Sequence, residues 1–142
     1  MAYVSQDLKK QLAPAIKAVL KKYGVKGTLA VRNHSTLVLN IKSGKIDFIE
    51  NFIKTDADSN IGRKMEQSQI DYIRSNQALS VNPYWYKEHF SGKALSFLSE
   101  LLPCMYGPDY FDESDVQTDY FHCSHYIDVN IGNWNKPYIV TA

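Results

Sequence analysis

The chain predicts an α+β domain, an antiparallel sheet of about four strands with helices packed on one face. Three observations predict it. Apolar residues at helical spacing open the sequence (Leu8, Leu12, Ile16, Val19, Tyr23), and a second such stripe lies past the middle (Leu95, Leu98, Leu102, Met105). Between them, TLAVRNHSTLVLNIKSG alternates apolar and polar residues on either side of Asn33-His34-Ser35, which is turn chemistry. Near the end, FHCSHYIDVNI alternates again. At 142 residues the chain suits one such domain, 1–142, without staples.

The elements follow in order. Ser5 is the expected N-cap of the first helix and Gly24 its C′ residue. Pro14 places the start of the regular helix near Ala13, with the proline in the first turn and a looser turn before it. The hairpin of Leu29–Val31 and Leu37–Ile41 comes next. KIDFIENFIK, Lys45 to Lys54, sets Ile46, Ile49 and Ile53 on one face of a short helix. TDADSNIGRK reads as a polar loop, and MEQSQIDYIRSN as a short helix with Met65, Ile70 and Ile73 inward. Pro83-Tyr84-Trp85-Tyr86 leads to Ser91, the expected cap of the long helix that ends near Pro103. The acidic loop GPDYFDESDVQTD, the FHCSHYIDVNI strand and a last strand from Tyr138 to Thr141 complete the chain.

With 44% hydrophobic and 22% charged residues, the composition is that of a globular protein rather than a disordered or membrane one. MAYVSQDLKK lacks the apolar run of a signal peptide, and no stretch approaches a membrane span. Cys104 and Cys123 are too few for a disulfide framework and read as reduced, small, buried side chains. The net charge of +1 hides an asymmetry: residues 1–54 carry ten Lys/Arg against three acids, residues 107–142 one Lys against six acids. Either the ends neutralise each other in the fold or the molecule is dipolar.

His122-Cys123-Ser124-His125 raises the question of metal or nucleophile chemistry. In a strand, Phe121, Cys123, His125, Ile127, Val129 and Ile131 share the apolar face. Tyr120, His122, Ser124, Tyr126, Asp128 and Asn130 point the other way. The two histidines therefore diverge, and neither a metal nor another cofactor is expected. Cys123 sits in the inward register, away from the accessible positive setting a reactive thiolate needs. No phosphate loop, HExxH or GxSxG occurs. What is left are surfaces: Tyr120, His122 and Tyr126 outward on the strand, and Tyr84, Trp85 and Tyr86 as candidate interface anchors.

MAYVSQDLKKQLAPAIKAVLKKYGVKGTLAVRNHSTLVLNIKSGKIDF and the ending YFHCSHYIDVNIGNWNKPYIV resemble small uncharacterised proteins of tailed bacteriophages. Those in turn are similar to a domain associated with large polyvalent proteins of mobile elements. The resemblance brings no catalytic motif. It implies a phage-encoded protein acting in the cytoplasm of the infected bacterium. The expected function is non-catalytic: binding and inhibition of a host protein assembly, foremost a nucleic-acid-processing defence complex. Asp109, Asp112, Glu113, Asp115 and Asp119 would enter a basic channel of that complex, and Tyr84, Trp85 and Tyr86 would anchor the contact. One alternative is a nucleic-acid-binding module using Lys17, Lys21, Lys22, Lys26 and Arg32. A second is an enzyme whose site gathers distant residues such as His34, His89 and Asp119.

Overall fold

Ser5 opens the first helix as an N-cap, its Oγ accepting the Leu8 N–H at 3.0 Å. In the computed structural model, which describes residues 4–58, 65–108, 110, 125–133 and 136–141, α1 runs unbroken over Gln6–Lys22 with Pro14 inside it. The expected start near Ala13 is therefore corrected. Pro14 lies on the exposed side, so the carbonyl it leaves unpaired faces water, while Leu12, Ile16 and Leu20 bury the opposite side and hold both halves in one axis. Gly24 follows at φ +67, the left-handed turn that ends the helix.

The hairpin forms as predicted. β1 (Val25–Arg32) pairs antiparallel with β2 (Thr36–Gly44), and the turn places Asn33 and His34 at φ +53 and +58. One register shift, between Lys26 and Gly27, leaves Lys42 as the extra residue of a bulge. α2 (Phe48–Asp58) starts later than Lys45 and runs past Lys54, so Thr55 to Asp58 are helical rather than loop. α3 (Gln67–Asn76) packs Ile70 and Ile73 toward the core, with Met65 beside it. β3 (Leu79–Val81) and α4 (Tyr86–His89) were not legible as elements. α5 (Gly92–Tyr106) buries Ala94, Phe97, Leu98, Leu101, Leu102 and Met105, and leaves Leu95 half-buried. Ser91 precedes it without a side-chain cap bond. Asn51 of α2 clamps the Ser91 backbone, accepting the Ser91 N–H at 3.0 Å and donating to its carbonyl at 2.9 Å. β4 is Tyr126–Ile131 and β5 Ile139–Val140. The expected strand residues Phe121 to Ser124 lie outside the described residues.

The sheet has five strands in the order β1-β2-β4-β3, with β5 beside the end of β2. It is mixed, not antiparallel: β2 runs parallel to both β4 and β5. Alternation within a strand reports which face is buried and carries no information on a neighbour's direction. That direction is set by the long connection between β2 and β4, which carries the chain back to the start of β2 before it re-enters the sheet. β5 continues the line of β4 after a break at Gly132 (φ +68), where a Cβ would stand 2.3 Å from the Gln77 carbonyl oxygen.

One cluster forms the core. Leu37, Leu39, Ile41, Val129 and Ile131 of the sheet meet Leu12 and Ile16 of α1, Ile49 of α2, and Phe97 and Leu98 of α5. Phe48 lies at its centre, with ring centroids 5.4 Å from Phe97 and 5.5 Å from Tyr138. All these strand residues share one parity, so the alternate ones line the opposite face. That face carries none of the core helix packing, and among the described helices α3 meets it at the β3 edge. No described helix is long and apolar enough to cross a membrane.

Candidate functional site

The helix-free face is polar by construction. Register places Thr28, Asn40, Asn130 and Ser80 in one row across β1, β2, β4 and β3. Ser80 Oγ donates to Asn130 Oδ1 at 3.0 Å, and Asn130 Nδ2 donates to Asn40 Oδ1 at 3.2 Å and Asp128 Oδ2 at 3.3 Å. From β1, Arg32 Nη1 reaches across β2 to Asp128 Oδ2 at 2.8 Å. Beneath that arch Val38, paired with Asp128, is only 6% exposed although it stands outside the main core. Tyr126, in the row of Arg32 and Thr36, is exposed on the same face, as its parity predicts. The sequence contained the signal for this face, polar residues at alternate positions of two strands. It did not contain the pairing that aligns them.

At the β3 edge the face meets α3. There a cleft of about 250 Å³ is lined by Tyr72, Asn76, Leu79, Ser80, Asn130 and Asn133. Tyr72, 65% exposed, also walls an apolar groove of about 370 Å³ between α2 and α3, with Phe52, Met65 and Ile73. Arg74 ties the groove together, donating from Nε and Nη2 to Glu50 at 2.9 and 3.1 Å. Past β3, Asn82 Oδ1 accepts the N–H groups of Tyr84 (2.9 Å) and Trp85 (3.3 Å) in an Asx turn. This presents Tyr84 and Trp85 outward, 76% and 54% exposed. Tyr86 turns the other way and packs against the core, so the predicted aromatic triplet divides two to one.

The basic set also divides. Lys26 and Arg32 lie on the helix-free sheet face, whereas Lys17, Lys21 and Lys22 lie on the outer side of α1, beyond the Leu12–Ile16–Leu20 stripe. Lys22 is engaged: its Nζ donates to Glu100 Oε1 at 2.7 Å, and the Tyr23 hydroxyl donates to Glu100 Oε2. Those two bonds, Lys22 first, hold the Glu100 carboxyl below its ordinary range, and the bond to Glu100 raises both Lys22 and Tyr23. Burial, with a smaller contribution from Glu100, pushes the half-buried Cys104 thiol up, away from reactivity.

No family model, curated protein or solved structure matches this chain.

Of the remaining predicted residues, Asp109, Asp112, Glu113, Asp115, Asp119, Tyr120 and His122 lie outside the described residues. His125 is buried, its ring Nε2 3.0 Å from the Met105 carbonyl oxygen, in keeping with its inward parity. His34 sits on the exposed hairpin turn, while His89 packs edge-on against Phe52 of α2. Among the described residues no hydrogen bond or ion pair joins these two histidines, and no group of three His, Cys, Asp or Glu is gathered to hold a metal.

Proposed function

We propose that this is a non-catalytic binding protein whose protein-binding surface is centred on Tyr84 and Trp85. One observation carries the reading: two large rings face solvent on a turn whose backbone is held by Asn82, so little backbone freedom is lost when they are covered. Tyr and Trp are among the residue types that most often dominate interfaces. The resemblance to phage proteins frames the partner as a host protein assembly that the contact inhibits, with nucleic-acid-processing defence complexes as the first class to examine. The acids from Asp109 to Asp119 would then steer encounter with a basic surface.

The test compares the wild-type protein with Tyr84→Ser/Trp85→Ser, each tagged and exposed to nuclease-treated host lysate. The expected result is a host protein retained in stoichiometric amount by the wild type and lost from the double variant, with matching thermal melts. Equal retention by both would remove this turn from the interface. Asp112→Lys with Asp115→Lys should slow association with the same partner about tenfold, an effect that shrinks as salt is raised.

A further inference from the structure

We propose that the helix-free face of the sheet binds single-stranded nucleic acid, with one base received in the cleft walled by Tyr72. The inference is independent of the Tyr84–Trp85 surface. Charge supplies the first argument. Among the described residues, Lys26, Arg32 and Lys42 lie on this face against the single carboxylate of Asp128, which is taken by Arg32. The bulge brings Lys26 and Lys42 together, since Lys26 pairs with Ser43, and among the described residues no carboxylate pairs with either lysine. Two neighbouring ammonium groups repel unless an anion lies between them, and a phosphodiester is such an anion.

The second argument is the row Thr28, Asn40, Asn130 and Ser80 beside those cations. Ser80, Asn130 and Asn40 are bonded to one another, which holds the row in place. The capacity beyond those bonds, that of the Thr28 hydroxyl and the Asn40 amide N–H groups, offers donors and acceptors to base edges. The row leads into the cleft of about 250 Å³. That volume lies below the range for drug-sized ligands and suits one flat ring, which the exposed Tyr72 can stack. Across four strands the row spans about 14 Å, room for a few nucleotides. Single strands fit better than duplexes. A duplex is read by an element that enters a groove, whereas splayed bases lie on an open sheet and stack on its aromatics.

The test is fluorescence anisotropy of short labelled single strands, RNA and DNA, and of the corresponding duplexes, at about 50 and about 200 mM salt. Saturable binding of a single strand is expected, with a log–log salt slope of about −1.4 to −2 for two or three phosphates. Lys26→Gln with Lys42→Gln should weaken binding about tenfold or more and flatten the slope. Tyr72→Ala should weaken it about tenfold with the slope unchanged. Lys17→Gln with Lys21→Gln, and Tyr84→Ser/Trp85→Ser, should leave it intact. Absence of saturable binding at the lower salt, equal or tighter binding of duplex, or a loss caused by the α1 pair instead of the sheet pair would each overturn the proposal.

Discussion

Leu98 and Ile127 show what single residues owe to their surroundings. Both belong to apolar stripes in the sequence, yet Leu98 is wholly buried while Ile127, the second residue of β4, is half-buried. Leu98→Ala is expected to cost about 2–5 kcal/mol in chemical denaturation, and Ile127→Ala less, because part of its surface is already in water. Equal losses would mean that the start of β4 is more deeply covered than the described residues indicate. Glu100 tests electrostatics at the same scale. Its carboxyl is held low by the Lys22 and Tyr23 bonds, so its contribution is present above the ordinary carboxylate range and lost as pH falls through the depressed value. Lys22 and Tyr23 are raised, so their contributions are present below their ordinary ranges and lost as pH rises through the raised values. The stability difference between wild type and Glu100→Gln should therefore form a plateau across neutral pH that closes at both ends and narrows with salt. A pH-independent difference in thermal melts would assign Glu100 a packing role instead.

Elements were legible where a signal is local. The α1 stripe, the Ser5 cap, the Asn33-His34 turn and the α5 stripe each rest on residues within one or two turns of each other, and each formed. The errors arose where a distant contact overrode a local preference. Pro14 argues for a break, but burial of Leu12 on one side and Ile16 on the other joins the halves. Pro14→Ala is expected to restore the bond to the Lys10 carbonyl and raise stability by about 1–3 kcal/mol. No gain in the denaturation midpoint would mean that the helix bends to accommodate the ring. β3 was missed because three residues carry too short a pattern to register. The clamp of Asn51 on Ser91 was invisible because its partners are 40 residues apart.

At the scale of the molecule the organising fact is the position of β2 between an antiparallel hairpin partner and two parallel neighbours. Its backbone is paired on both edges, as is that of β4 between β2 and β3. Amide exchange should accordingly be slowest at Leu37, Leu39, Ile41 and Val129, and fastest among strand amides in the short β3 and β5. Comparable protection of β3 would show that its outer edge is covered. The same order decides the sheet surface proposed to bind single strands, since it places the amide row on one face and carries it to the β3 edge, where Tyr72 stands.

The sequence by itself determined the α+β class, the hairpin and its turn, the first and last long helices, the inward parity of His125 and the outward parity of Tyr126. These follow from periodicity and from backbone preferences of neighbouring residues, which act over a few positions. Only the tertiary structure decided the mixed strand order, the alignment of Thr28, Asn40, Asn130 and Ser80, the separation of Lys26 and Arg32 from the α1 lysines, and the outward pair Tyr84 and Trp85. Tyr84 and Trp85 are turned outward by the local Asn82 turn, which their sequence pattern alone did not reveal. The strand order, the row and the separation of the cations depend instead on contacts between residues far apart in the chain. Those contacts form because burying one shared apolar core outweighs the local preferences of any single segment.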